Sequence, residues 1–329
     1  MNVISREDMQ IFENMVSLTQ ENLKKTLTRY LQTKYDNVII TKDYVVAVGG
    51  PIGLVAHLDT VFPKPAKKVY YDSRKGVLWS PDGLGADDRA GVFAIIKILQ
   101  SNPKIKPSII LTTDEEKGGL GAAVLAQVPC PIPNLKYLIQ LDRRGTNDCV
   151  FYDCYNTDFM KYVESFGFVE AFGSFSDISF LGPGWQVCSV NLSVGYEDEH
   201  SYSETLHIAP LFDTINKVVN MLSVDHIPHF EYKDIAMSYG SLYRGYNNDG
   251  YLTDYGAHCA HCGQLFSEYE LMPVKALDGK IKFYCGDCSV ENVDWCNFCG
   301  EPFEIVKGQQ QTHVCPDCKD ITTRKVKKK

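Results

Sequence analysis

The feature that most constrains this chain is a set of acids and histidines that follow short apolar runs. In chain order they are His57-Leu58-Asp59, Asp87-Asp88, Asp114-Glu115-Glu116, Asp142 and His200. Short apolar runs read as buried strands, and ligands collect at the carboxyl ends of the strands in an open parallel sheet. Two imidazoles and several carboxylates meeting there are the groups that a paired-metal hydrolytic site needs. The ordered set therefore favours metal-dependent hydrolysis.

The fold class follows from alternating strand and helix patterns. Leu23, Leu27 and Leu31 recur on one helical face, and an apolar stripe after Asp88 predicts a second helix. The apolar runs that predict strands cover residues 52–56, 108–113, 137–141 and 186–192. Strands that alternate with helices predict an α/β domain with a mainly parallel central sheet flanked by helices.

Length and charge bound the organisation of the chain. Its 329 residues carry a net charge of −8, which argues against general coating of nucleic acid. No apolar run approaches the ~20 residues that span a bilayer, and the first residues do not resemble a secretory signal, so we expect a cytoplasmic protein without a membrane contact. We predict the main domain at 1–228, a Tyr/Gly-rich linker at 229–256, a cysteine-rich region at 257–320 and a basic tail at 321–329.

The cysteine-rich region predicts zinc. Eight of the twelve cysteines form Cys-x-x-Cys pairs: Cys259 and Cys262, Cys285 and Cys288, Cys296 and Cys299, Cys315 and Cys318. Such doublets are typical of structural zinc sites with four thiolates. The spacing favours two consecutive ribbons, each with one structural Zn²⁺, and a cross-braced pairing also fits. The ribbons are expected to recruit a protein partner or to stabilise the chain, and the basic tail leaves weak nucleic-acid contact open.

Each acidic motif also has an ordinary structural explanation when it is taken alone. Asp87 and Asp88 open a predicted helix, where Asp commonly caps. Asp114-Glu115-Glu116 also reads as a solvated turn, although three consecutive acids repel one another unless a cation or solvent compensates. The combination in this order is harder to explain without a metal.

The motifs together resemble the co-catalytic zinc exopeptidases over roughly residues 15–225. The matching segments are Ala56-His57-Leu58-Asp59, Gly85-Ala86-Asp87-Asp88, Asp114-Glu115-Glu116, Asp142 and His200-Ser201-x-x-Glu204. That superfamily includes bacterial zinc aminopeptidases, peptidase T, and related carboxypeptidases and deacylases. The resemblance implies that one zinc is bound by His57, Asp87 and Asp142. It implies that the other is bound by Asp87, Glu116 and His200, with Asp87 as the bridge.

The resemblance also implies roles for two residues that are not ligands. Glu115 is the expected general base, and Asp59 is expected to orient His57. A cis peptide bond between Asp87 and Asp88 is implied as well. The two catalytic ions are expected to be Zn²⁺, with Mn²⁺ or Co²⁺ as alternatives at a carboxylate-rich site.

One departure from the superfamily concerns its lid. Peptidase T-like and carboxypeptidase-like members insert a separate domain before the last histidine, whereas only 57 residues separate Asp142 from His200 here. We therefore expect a compact domain without a lid. Substrate contacts are then expected from Asp177, which resembles an acid near the pocket of compact members, and from Arg143, which is able to clamp a carboxylate.

These observations lead to one leading function and two alternatives. The leading expectation is an aminopeptidase that acts on short peptides through a metal-bridged water, with Glu115 as the base. One alternative keeps the metals and changes the substrate to an N-acyl amino acid or another amide. The other is a zinc-ribbon binding protein whose hydrolase domain is inactive.

Overall fold

A computed structural model describes residues 4–152, 154–173, 175–233, 257–266, 271–276, 281–297, 302–305, 313–315 and 319. The chain divides into two compact units, Met1–Gly245 and Tyr246–Lys329. The division falls within the predicted linker. None of the helices within the described residues is long and apolar enough to cross a membrane.

The core of the first unit is an eight-stranded sheet. Its strands are β1 (Val38–Ile40), β2 (Tyr44–Ala47), β3 (Ile52–His57), β6 (Ser108–Thr112), β7 (Tyr137–Arg143), β8 (Asp148–Val150), β9 (Val169–Glu170) and β10 (Cys188–Ser193). The spatial order is β1-β2-β6-β3-β7-β10-β8-β9. The four central strands, β6, β3, β7 and β10, are parallel to their neighbours within that group. The predicted mainly parallel central sheet is therefore confirmed.

The central strands owe their place to uninterrupted apolar sequence. Every residue of β3 and β6 is buried, as expected for parallel strands that are covered on both faces. Leu54 of β3 lies between Ile109 of β6 and Ile139 of β7 in the ladder. His57 ends β3 at the carboxyl edge of the sheet.

Helices cover both faces of this sheet. They are α1 (Arg6–Val16), α2 (Gln20–Gln32), α3 (Ala86–Gln100), α4 (Leu120–Ala126), α5 (Thr157–Glu164), α6 (Ile178–Trp185) and α7 (Ile208–Met221). The predicted stripe of Leu23, Leu27 and Leu31 forms the buried face of α2. The N-cap of α2 is Thr19, whose hydroxyl accepts a hydrogen bond from the Asn22 amide.

A second, antiparallel sheet in the first unit completes the surroundings of the carboxyl edge. It contains β4 (Tyr70–Asp72), β5 (Val77–Trp79), β11 (Tyr196–Glu197) and β12 (Thr205–His207), in the order β11-β12-β5-β4. Between Asp142 and His200, the described residues form β8, α5, β9, α6, β10 and β11. They extend the two sheets and build no separate lid, as predicted.

The described start of the predicted linker packs on the first unit. Phe230 is buried among aromatic rings, with centroids 5.1 Å from Phe159, 5.3 Å from Tyr162 and 6.3 Å from Tyr137. Its main chain is held as well, because Asn156 Nδ2 donates to the Glu231 carbonyl. Residues 229–233 are therefore anchored to the sheet and its helix α5.

The second unit is built from short strands around cysteines. Its elements are β13 (Ala257–His258), β14 (Leu265–Phe266), β15 (Leu271–Lys275), β16 (Ile281–Cys285), α8 (Gly286–Asn292), β17 (Val293–Trp295) and β18 (Pro302–Glu304). Strands β16, β15, β18 and β17 form one sheet, and β13 pairs with β14. The buried side chains of this unit include Cys259, Cys285, Cys296 and Cys315.

Candidate metal centre

The predicted site residues converge at the carboxyl edge of the main sheet. His57 ends β3, and Glu115 and Glu116 follow β6. Asp142 is the penultimate residue of β7. His200 comes from the loop between β11 and β12. Because β3, β6 and β7 are parallel neighbours, residues far apart in sequence reach one point. We call this group, together with Asp87, the acidic centre.

Asp87 occupies the middle of the acidic centre. Its Oδ1 lies 3.0 Å from His57 Nε2, and its Oδ2 lies 3.2 Å from His200 Nε2. Each carboxylate oxygen therefore faces a different imidazole. The peptide bond between Asp87 and Asp88 is cis, as the resemblance implies. Asp88 turns away from the imidazoles and accepts hydrogen bonds from the His57 and Gly91 amides.

Two groups of potential metal ligands share Asp87. One contains His57, Asp87 and Asp142, the other contains Asp87, Glu116 and His200, and the ligand atoms of each lie within 4.8 Å of one another. A third such group contains His57, Glu115 and Glu116, so Glu115 is within reach of the same space. Mixed imidazole and carboxylate ligands suit zinc and similar divalent ions.

An unsatisfied atom supports the same fit. Glu116 Oε1 is buried, and no hydrogen-bond partner for it exists among the described residues, while Glu116 Oε2 lies 3.0 Å from His200 Nε2. A buried carboxylate oxygen without a partner is costly unless a cation compensates. The residues present therefore fit a divalent metal.

The electrostatics of the acidic centre are those of a site short of positive charge. Burial, together with the charge of Asp87, raises the pKa of Asp142 to about 7 against the attraction of His57. Burial opposes ionisation of Asp87 as well, but hydrogen bonds with His200 and His57 outweigh it and hold its pKa below the usual value. Hydrogen bonds with Asp87 and Glu116 raise the pKa of His200 to about 11. The carboxylates thus draw cations to this point.

The surroundings of Glu115 also disfavour its charge. Burial, reinforced by Asp142 and Asp177, raises its pKa to about 9 although His57 attracts it. Its Oε2 lies 3.9 Å from His57 Nε2, farther than the nearest Asp87 oxygen. Additional positive charge at the acidic centre would lower this pKa, because it would offset the neighbouring acids.

Asp59 ties the strand end to the turn that carries the two glutamates. Its Oδ1 accepts a hydrogen bond from the Glu115 amide at 3.0 Å, and its Oδ2 accepts one from the Glu116 amide at 3.1 Å. The same Oδ1 lies 3.3 Å from His57 Nδ1. One carboxylate therefore contacts the histidine and the backbone of both acids.

Three further residues support the acidic centre, and sequence reasoning assigned a role to none of them, although Glu204 ends the matching segment His200-Ser201-x-x-Glu204. Glu204 is buried and accepts hydrogen bonds from the Gly85 amide at 2.6 Å and the Asp87 amide at 3.0 Å. Gln140 Nε2 donates to Asp142 Oδ2 at 2.9 Å, and the Tyr196 hydroxyl donates to Asp142 Oδ1 at 3.2 Å. The available signal was the position of Gln140, two residues before Asp142 on the same strand face.

The two predicted substrate contacts, Asp177 and Arg143, each have a partner within the first unit. Asp177 is fully buried, and its Oδ2 accepts a hydrogen bond from the Thr112 hydroxyl. Burial raises the pKa of Asp177 to about 6. Arg143 is largely buried and pairs with Asp148 at 3.3 Å, while Arg144 pairs with Glu199 at 3.1 Å. Both arginines are engaged with acids of their own unit.

A cavity of about 510 Å³ adjoins the acidic centre. Its lining includes Glu116, Asp59 and four residues where α1 meets α2, namely Val16, Leu18, Thr19 and Gln20. Residues 59–66, the loop that follows β3, form another wall. A volume of this size is in the range of small-ligand sites.

The second unit contains a separate set of ligand atoms. The sulfurs of Cys259, Cys262, Cys285 and Cys288 lie within 4.8 Å of one another, and we call this set the cysteine cluster. Four convergent thiols have the donor chemistry of a zinc site, as the consecutive pairing requires. Cys296 and Cys315 are also neighbours, since the Cys315 amide donates to Cys296 Sγ at 3.3 Å. The predicted ligands Cys299 and Cys318 lie outside the described residues.

The first unit combines a mainly parallel α/β fold with a cluster of carboxylates and imidazoles that fits a divalent metal. Residues 44–164 match the model of peptidase family M28. No sequence among the curated proteins matches the chain.

Solved structures show the same fold at low sequence identity. Aminopeptidase PepT from Bacillus cereus ATCC 10987 is 16% identical with a TM-score of 0.52, and the match covers 67% of this chain and 98% of that one. A tripeptidase from Staphylococcus aureus subsp. aureus mu50 is 14% identical with a TM-score of 0.51, over 67% and 98% of the two chains. A TET aminopeptidase from the archaeon Thaumarchaeota archaeon SCGC AB-539-E09 is 12% identical with a TM-score of 0.54, over 72% and 99%.

Proposed function

We propose that the first unit removes amino-terminal residues from short peptides with two divalent metal ions, most simply zinc. The observation that carries this proposal is the position of Asp87, whose two oxygens face His57 and His200 separately. A carboxylate between two imidazoles is placed to bridge two ions. Asp142 would complete the ligands of one ion and Glu116 those of the other.

The ions and the protein divide the chemistry of peptide hydrolysis. Two divalent ions bound by the residues of the acidic centre would polarise the scissile carbonyl and lower the pKa of water. Glu115, which we propose as the general base, takes a proton from the attacking water and passes it to the nitrogen of the leaving amine. Its carboxylate is only 12% exposed, so it exchanges protons at the acidic centre rather than with bulk solvent.

We assign to Asp59 the task of holding the parts of the acidic centre together. Its contact with His57 Nδ1 leaves Nε2 directed at Asp87, as an outer partner of a ligating histidine would. Its two hydrogen bonds with the Glu115 and Glu116 amides keep the base and the ligand next to each other. Asp59 therefore acts through its neighbours and not on the substrate.

The preference for a free amino terminus rests on the relatives. The similar structures named above are an aminopeptidase, a tripeptidase and a TET aminopeptidase. Amide substrates without a free amino terminus are the contrasting class.

For the second unit we propose two structural zinc sites in consecutive ribbons. The cysteine cluster would hold one ion, and Cys296 and Cys315 would contribute to the other. Thiolate sites of this kind stabilise a fold and offer no open position for a substrate. Thiolate ligands of this kind are typical of a reducing compartment, and we therefore propose the cytoplasm.

The test combines a substrate panel with metal analysis. The panel contains di- and tripeptides, the same peptides with an acetylated amino terminus, and N-acyl amino acids. Wild-type protein is expected to cleave only the free peptides. Glu115→Gln is expected to lower kcat by about 10²–10⁴-fold, the usual contribution of a general base, without loss of metal.

The matched control is Glu164→Gln, which removes an exposed carboxylate at the end of α5. It should leave both kcat and metal content unchanged. Cleavage of the acylated compounds alone would move the assignment to an amidohydrolase. A Glu115→Gln protein with wild-type turnover would refute the assigned role of Glu115.

A further inference from the structure

The turn that carries the two glutamates is contacted by a part of the chain outside the family match. We call residues 114–117 the acidic turn and helices α1 and α2 the N-terminal hairpin. Gln20, the first residue of α2, reaches Asp114 with both ends of its side-chain amide. Its Oε1 accepts a hydrogen bond from the Asp114 amide at 3.0 Å, and its Nε2 donates to Asp114 Oδ1 at 3.2 Å.

Asp114 needs such support because of its backbone conformation. Its φ is 57°, in the left-handed region that residues other than glycine seldom adopt. Asp114 immediately precedes Glu115, so its conformation sets the direction in which the acidic turn leaves β6. A paired hydrogen bond to its main chain and side chain favours this conformation over the ordinary alternatives.

The N-terminal hairpin is itself fixed to the strand that carries His57. Arg89 is buried, and its guanidinium donates to the Leu58 carbonyl at 2.6 Å and to the Leu18 carbonyl at 3.1 Å. Leu18 lies two residues before Gln20, and Leu58 lies between His57 and Asp59. The position of Gln20 is therefore set relative to the acidic centre and not by the hairpin alone.

The three amides at the start of the acidic turn are shared between two side chains. The Asp114 amide is bound by Gln20, while the Glu115 and Glu116 amides are bound by Asp59. Asp59 lies within residues 44–164, which match the family model, and Gln20 lies outside them. The contact from Gln20 therefore comes from outside the segment that matches the family model.

We propose that Gln20 is a positioning residue that fixes the carboxylates of Glu115 and Glu116 by holding Asp114 in its left-handed conformation. The catalytic part of this proposal rests on the proposed function. Gln20 lines the cavity beside the acidic centre but touches Asp114 and no residue of that centre, so a positioning role predicts an effect on kcat, whereas a substrate contact predicts an effect on KM. Small displacements of a base are costly, since a shift of about 1 Å lowers rates by up to roughly 10²-fold.

The kinetic test exchanges the two partners. Gln20→Ala is expected to lower kcat about tenfold or more while KM changes less than twofold. Gln20→Glu places a carboxylate against Asp114 and should be as harmful. The double variant Gln20→Glu with Asp114→Asn exchanges the side-chain amide and the carboxylate. It again provides one side-chain donor and two side-chain acceptors for the paired contact. Its kcat should therefore recover to within about threefold of that of Asp114→Asn alone.

The matched control is Gln10→Ala in α1, which breaks an exposed hydrogen bond between Gln10 and Asn14 in the same hairpin. It should leave kcat and the melting temperature unchanged. Losses that add in the double variant, or a rise in KM at constant kcat, would overturn the positioning role.

A second measurement tests the proposal without turnover. Hydrogen exchange of the Asp114, Glu115 and Glu116 amides is expected to accelerate at least about tenfold in Gln20→Ala and to stay at the wild-type rate in Gln10→Ala. Unchanged exchange in Gln20→Ala would overturn the proposal. If wild-type protein cleaves no peptide, the proposed function fails, and this exchange experiment still decides whether Gln20 holds the acidic turn.

Discussion

The acidic centre and the cysteine cluster are both candidate cation sites, but they differ in their ligand atoms. The acidic centre mixes nitrogen and oxygen atoms from strand ends and loops, and the side chain of its His200 is 52% exposed. The cysteine cluster converges four sulfurs from two doublets. Zinc with four thiolates is closed to substrate, whereas mixed ligands leave room for a reacting group. The difference teaches that ligand chemistry, more than ligand number, separates a reactive site from a structural one.

The largest expected effect comes from removing the residue that makes the acidic centre a paired site. Asp87→Asn keeps the size of the side chain but removes the charge between the imidazoles of His57 and His200. We expect loss of both ions from the first unit and a fall in kcat/KM of at least about a thousandfold, because metal polarisation and the alignment of Glu115 fail together. Elemental analysis and peptidase assays measure the two effects.

The cysteine cluster provides the internal reference for that variant. Its zinc should remain in Asp87→Asn, so the protein should lose only part of its metal. Complete loss of metal would show that the two sites are not independent, which would break the contrast drawn above.

The next effect concerns folding. Cys259→Ser removes one thiol from the cysteine cluster, and structural zinc contributes on the order of 10 kcal/mol to the folding of small zinc domains. We expect loss of one zinc per chain and rapid proteolysis within Tyr246–Lys329. Cys130→Ser is the matched control, because Cys130 lies in the first unit and is not part of the cysteine cluster. Protease resistance equal to wild type in Cys259→Ser would remove the structural role.

The rate of metal release should also differ between the acidic centre and the cysteine cluster. A chelator is expected to strip the acidic centre at least about tenfold faster than the cysteine cluster, because mixed imidazole and carboxylate ligands leave an open position and four thiolates do not. The release of metal is followed with a chromogenic indicator, and peptidase activity is sampled at the same times. Activity that persists after the first ions leave would place catalysis elsewhere.

The two regions also differ in what their sequence discloses. The cysteine doublets are local, so spacing alone predicts the convergence of Cys259 with Cys262. His57, Asp87 and Asp142 are distant in sequence, and they were predicted because each directly follows or begins a recognisable element. The parallel order of β3, β6 and β7 then brings them together.

The roles of some other residues at the site could not be predicted from the sequence. Gln20 and Glu204 bind backbone amides that are 94 and 117–119 residues away, and a backbone amide leaves no mark in a sequence pattern. The antiparallel sheet of β4, β5, β11 and β12 escaped prediction because its strands are only two or three residues long. The burial of Asp177 was likewise a tertiary property, and so was its hydrogen bond with Thr112.

Glu204 offers the smallest and most discriminating test of the contrast. Its two oxygens accept from the Gly85 and Asp87 amides, so it holds the turn that presents the bridging carboxylate without facing an imidazole itself. Glu204→Gln replaces one acceptor by an amide that opposes a backbone N–H group. Such outer contacts are worth about 10–100-fold in metal affinity or activity, and we expect a loss in that range.

The matched substitution is Glu197→Gln, which alters a half-exposed glutamate that pairs with His207 at 3.2 Å. Surface pairs of this kind contribute little, so its metal affinity and kcat should equal those of wild type. The ligands of the cysteine cluster lie in short doublets, whose own turns set their direction. A loss in Glu204→Gln that is confined to the acidic centre would therefore show that this centre depends on distant backbone contacts, whereas equal behaviour of the two glutamate variants would refute that dependence.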